Sequence, residues 1–168
     1  MGIITTILAV GAIWYLFKIF SGGTPSSRIE KYEEFAEVML GSNRTTDKVA
    51  YGKEGESPEV LRMKDWYIRL KEKYKHDTQK LVQLAEDWKD YAYNLSRKGS
   101  SNYLWLESES ESDGEDHYQE ARESHLKLEE IENRFAEMLG PKERENLEAD
   151  RKKKQEEFEA TWPSLVSK

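Results

Sequence analysis

Two parts of this chain face opposite physical constraints, and the boundary between them falls near residue 20. From Ile3 to Phe17 no charged residue occurs: Ile3-Ile4-Thr5-Thr6-Ile7-Leu8-Ala9-Val10-Gly11-Ala12-Ile13-Trp14-Tyr15-Leu16-Phe17, followed by Lys18-Ile19-Phe20. A helix reaching Phe20 would rise about 30 Å at ~1.5 Å per residue, the thickness of a bilayer's hydrocarbon core. Its apolar residues cover every face, so it would present no polar side to water. The expectation is a single transmembrane helix over residues 1–20. Trp14 and Tyr15 would sit at the interface, and Lys18 would extend its ammonium to the headgroups along an apolar stem. Ser21-Gly22-Gly23-Thr24-Pro25 then breaks the helix and starts a flexible exit.

Orientation follows from the cations. None precedes the run except the amino terminus, whereas Lys18, Arg28 and Lys31 follow it. The positive-inside tendency therefore puts the long C-terminal part on the cytosolic side of a membrane, as a single-pass protein. A cleaved signal peptide is the competing reading. Ser21-Gly22-Gly23 would supply small residues, but no basic start precedes the apolar core. The sequons at Asn43 and Asn94 would matter only in a secretory lumen. The chain has no cysteine, which suits a reducing compartment.

After the anchor the chain turns acidic and helical. It is 35% charged with a net charge of −7, and alternating strand patterns are absent. The expected fold class is all-α: the N-terminal transmembrane helix, then an elongated helical hairpin or coiled-coil-like domain. Residues 21–56 read as a short amphipathic helix over Ser27 to Leu40, stopped by Gly41, and a mobile linker from Ser42 to Glu56. Residues 57–140 read as the hairpin. Ser57-Pro58-Glu59 is a helix start, with a capping serine, a proline at the first position and an acid for the dipole. Met63, Tyr67, Leu70, Tyr74, Leu81, Leu84, Trp88, Tyr91 and Leu95 then recur in steps of three and four, with only Asp77 off the seam. The second arm runs from about Glu115 to Gly140, with Tyr118, Ala121, His125, Leu128, Ile131 or Glu132, Phe135 and Leu139 expected inside. Residues 141–168 read as a thin exposed helix and tail, with Leu147, Ala149, Phe158 and Ala160 as apolar support. Phe35 to Gly41 echoes Phe135 to Gly140, each ending an amphipathic helix.

Residues 107–116 form an acidic run, read as an extended, solvated loop. Ser108, Ser110 and Ser112 each have an acid three residues later and are candidate phosphorylation sites. Before it, Tyr103, Leu104, Trp105 and Leu106 make an apolar patch off the periodic seam, the candidate contact for a protein partner. No motif for a catalytic site, cofactor or metal occurs, and His76, His117 and His125 lack metal-ligand spacing. The one basic cluster, Arg151 to Lys154, is too small on an acidic chain for nucleic-acid binding; it would reach lipid headgroups only if the last helix folded back. The reading is a membrane-anchored adaptor, tether or accessory subunit whose partners are the bilayer and a protein. The alternatives are a small subunit bound through its spanning helix and a lumenal protein released from a signal peptide.

Overall fold

The computed structural model describes residues 23–51, 55–108 and 111–166. Among them the chain is all-α, with five helices packed as a bundle: α1 (Pro25–Tyr51), α2 (Pro58–Lys73), α3 (Thr78–Leu106), α4 (Glu111–Leu139) and α5 (Pro141–Val166). The apolar run with Trp14, Tyr15 and Lys18 lies outside the described residues. No helix among the described residues is long and apolar enough to cross a membrane.

The seam from Met63 to Leu95 is one core built from two helices. Its steps of three and four continue, but the chain turns back at Tyr74 to Asp77. Asp77, the residue off the seam, is the N-cap of α3: its carboxylate accepts from the Lys80 amide at 2.9 Å. Ser57 caps α2 in the same way, accepting from the Val60 amide at 3.3 Å. The first arm of the expected hairpin, from Pro58 through Leu95, is therefore corrected from one helix to a pair, α2 and α3. Tyr67 stacks on Trp88 at 5.3 Å across the pair, and Trp88 on Tyr91 at 5.7 Å within α3.

The closest packing is between α1 and α3, which run parallel. Tyr32 packs with Ala85 at one level, and Asn43 meets Gly99 at another. A Cβ on Gly99 would stand 2.9 Å from Asn43 Oδ1, so glycine allows the approach. This contact also explains two differences from expectation. Helix α1 passes Gly41 and runs on to Tyr51 where a linker was expected, because Asn43 is buried against α3 and the Thr45 hydroxyl donates to the Gly41 carbonyl at 3.0 Å. Helix α3 passes Gly99 to Leu106, because Ser96 and Ser101 are buried there as small packing residues, not breakers. Residues 52–54 of the expected linker lie outside the described residues.

Helices α3 and α4 form an antiparallel pair. Ser101 donates to Glu120 at 3.0 Å near one end, and Arg134 to Asp87 at 2.6 Å near the other. The buried residues of α4 among those described are Gly114, Ala121, Ser124, Leu128, Ile131, Phe135 and Ala136. They differ from the expected stripe at Tyr118 and His125, and Leu139 is only partly buried. Ser124 is fully buried where His125 was expected, and Tyr118 is 46% exposed. His125 instead stands at the surface, 3.2 Å from Lys98 and 3.7 Å from Glu129. Gly140 takes φ +129 and ends α4, and Pro141 opens α5. Gly41, without a following proline, stays helical within α1, so the echo ends one helix and not the other.

Helix α5 rests on α4 and reaches α2 through long charged side chains. Of its described side chains only Leu147 is buried. Ala149 and Ala160 are exposed, and the helix continues through Pro163 to Val166.

Candidate partner-binding surface

The last turn of α3 and the first turns of α4 meet at the end of the bundle opposite the start of α1. Tyr103, Leu104 and Trp105 are exposed here, Trp105 at 47%. Trp105 tilts against Tyr118 with ring centroids 5.9 Å apart. Gly114 of α4 is buried beside the indole; a Cβ there would lie 3.6 Å from Trp105 Cδ1, an ordinary contact distance. Two large aromatic rings therefore share one exposed site, with Leu104 nearby on the same turn. Leu106 closes α3.

The connection between α3 and α4 is shorter than expected. Glu111 already opens α4, so the extended acidic loop over residues 107–116 is corrected to a short link. Carboxylates in the first turn of a helix face the positive end of its dipole, which offsets their mutual repulsion. At the end of α3 the Glu107 amide donates to Tyr103 O at 3.1 Å and the Ser108 amide to Trp105 O at 3.3 Å. The Ser108 hydroxyl donates to Leu104 O at 2.7 Å. These bonds satisfy carbonyls that a helix end leaves open. Of the candidate serines, Ser108 is half-buried, Ser112 stands in the first turn of α4, and Ser110 lies outside the described residues. Glu107, Glu115 and Asp116 are exposed around the aromatic pair and give this end a negative field.

Elsewhere the charges serve packing. Asp87 is buried with Arg134 and Gln83 as partners, and burial holds its carboxyl above the ordinary range despite the guanidinium. The cluster Arg151 to Lys154 divides. Arg151 binds Asn133 at 2.7 Å and Glu132 at 3.0 Å, Lys154 pairs with Glu59 and Asp150, and Lys152 and Lys153 face solvent. Lys154 thus stands beside the start of α2, far from the start of α1. Among the described residues no group of three or more His, Asp or Glu is placed to hold a metal ion.

The attachment of α5 is pH-dependent. Burial raises the Glu59 pKa, but Lys154, the Glu59 backbone N–H and Ser57 together outweigh it and hold it at about 2. Arg62 keeps Asp150 below its usual range, and Arg69 does so for Glu143. Each carboxyl is a stronger acid folded than unfolded. Their contribution is therefore complete above the ordinary carboxylate range and is lost as pH falls below it, for Glu59 towards about 2. Acidification is expected to free α5 first: hydrogen exchange should rise in α5 while the amides of α3 stay protected. Simultaneous loss in both helices would contradict this.

Compared with known proteins, the chain matches no family model, no curated sequence and no solved structure.

Proposed function

We propose that the chain is a membrane-anchored helical adaptor or tether. Residues 1–20 cross the bilayer, with Trp14, Tyr15 and Lys18 at the interface, and the bundle works on the cytosolic side. Its aromatic end engages a protein partner through Tyr103, Leu104, Trp105 and Leu106, joined by Tyr118. The observation that carries this reading is the exposed Trp105–Tyr118 pair at the end of the bundle farthest from Pro25. Large aromatic side chains left in water at one site are the anchors that protein interfaces favour. Each long helix spans about 40 Å at ~1.5 Å per residue, so the bundle would hold this pair away from the lipid as a spacer does.

A cytosolic body agrees with the burial of Asn43, the first sequon, against Gly99. A glycan at that position would part α1 from α3. Phosphorylation would act at the same end: a phosphate on Ser108 would replace the hydroxyl's bond to Leu104 O and add charge beside Trp105.

The test is co-purification of the full chain from native membranes, comparing wild type with Trp105→Ala/Tyr118→Ala. Both side chains are half exposed, so the double variant should keep the urea midpoint of the wild type. Loss of two interface anchors is expected to weaken partner capture by about 30-fold or more, from ~2 kcal/mol at a hot spot. Unchanged companions in unchanged yield would refute the role of this surface.

A further inference from the structure

We infer that the opposite end of the bundle is a docking surface for an anionic lipid bilayer, an inference that rests on the anchored reading above. Three features meet at that end: the start of α1, the turn between α2 and α3, and the corner between α4 and α5. Lys71 and Tyr67 bind Glu33 of α1, Lys73 donates to Met138 O at 2.6 Å, and Arg69 meets Glu143 at 2.8 Å. Lys75 and His76 are exposed on the turn, and Lys142 is exposed on the corner. Lys80 is half-buried, with its ammonium 5.8 Å from the Tyr74 ring.

Carboxylates share this end, and the contacts account for the nearest of them. Glu33 and Glu143 are paired as described, Glu72 holds Lys75 at 2.6 Å, and Asp77 is occupied in capping α3. Glu30, Glu34, Glu137 and Glu145 add further negative charge, so this end is close to balanced. The aromatic end differs in kind: Glu107, Glu115 and Asp116 surround it, within a sequence run that contains no cation from Glu107 to Asp116. The bundle is thus electrically polarised along its length. An anionic surface repels the aromatic end and accepts the lysine-bearing turn, whose long stems let the ammonium groups reach phosphate. Chain continuity agrees, since only residues 21–24 separate Phe20 from the first residue of α1. The occupant is therefore the bilayer from which the chain emerges, and the bundle stands with its aromatic end outward.

The chain contains no native cysteine, so single labels can be placed cleanly. Gln79→Cys marks the turn and Ser100→Cys the far half of α3; both positions are exposed. Each full-length variant carries an environment-sensitive fluorophore and is reconstituted into phosphatidylcholine vesicles. A second set contains phosphatidylserine at about one lipid in three, and a headgroup-level quencher is present throughout. The Gln79 label should be quenched several-fold more on the anionic vesicles, the Ser100 label equally little on both. Molar salt should abolish the difference, and so should Lys75→Glu/Lys142→Glu, which leaves the Lys73 bond to α4 intact. Equal quenching of the Gln79 label on both compositions would overturn the lipid-docking surface while the anchor stands. Equal quenching of both labels on anionic vesicles would overturn the upright pose. A chain that fails to float with either vesicle overturns the anchored reading, and this inference with it.

Discussion

Trp88→Ala is expected to lower the unfolding free energy by about 3–5 kcal/mol, the cost of emptying a large aromatic site in a packed core. Trp88 is buried and stacked on both sides, on Tyr67 from α2 and Tyr91 in its own helix. Deleting it removes the ring stack between α2 and α3 and leaves a void that neighbouring rings fill poorly. Domains of this size are typically stable by only about 5–15 kcal/mol, so the variant should unfold at much lower urea. The slope of the transition should stay constant, since the same surface is exposed on unfolding. A midpoint shift worth under about 1 kcal/mol would mean that the stack is not central to the core.

Leu147→Ala should have a comparable cost in free energy but a different reach. A buried leucine truncated to alanine typically loses about 2–5 kcal/mol. Here Leu147, 1% exposed, is the one buried side chain among those described in α5. Among the described side chains, ion pairs add to this attachment: Arg62 with Asp150, Arg69 with Glu143, Lys154 with Glu59, and Arg151 with Glu132. Such partly exposed pairs contribute little each and weaken with salt. The variant should therefore release α5 locally. Hydrogen exchange is expected to rise through α5 and to rise further in high salt, while α3 and α4 keep their protection. Cooperative loss across all helices would show α5 to be integral to the core.

Much of the core built from large apolar residues was legible in the sequence, although buried Trp66 lay off the expected seam. The aromatic seam through Met63, Tyr67, Leu70, Leu84, Trp88 and Tyr91 is buried as its spacing requires, and Gly140-Pro141 divides two helices. What was not legible is packing through small and polar residues. Asn43, Gly99, Ser96, Ser101 and Ser124 have the composition of loops, yet they line the close approach of α1, α3 and α4. A glycine or serine in such a place looks the same in sequence as one in a turn, and only the facing helix distinguishes them. The same blindness displaced the stripe of α4. Gly114, Ala121 and Ser124 carry it with little hydrophobic signal, so Tyr118 and His125 stood out as the larger residues and were assigned inside.

That displacement bears on the candidate site. The patch from Tyr103 to Leu106 was found because it left the heptad rhythm, but Tyr118 was hidden within the expected seam. Its place beside Trp105 comes from the meeting of α3 and α4, a tertiary effect absent from any local pattern. Asp77 is the converse case, an interruption in the seam that marked a turn by its capping chemistry. The apolar run ahead of the bundle rests on sequence alone, through length, composition and flanking charge.

The most direct test of the account is extraction of native membranes with alkaline carbonate, followed by detection of the chain in pellet and supernatant. A protein held by a spanning helix stays with the lipid, because removing about twenty apolar residues from hydrocarbon into water is prohibitively unfavourable at any pH. The account predicts the full-length chain in the pellet. Quantitative release into the supernatant would contradict it.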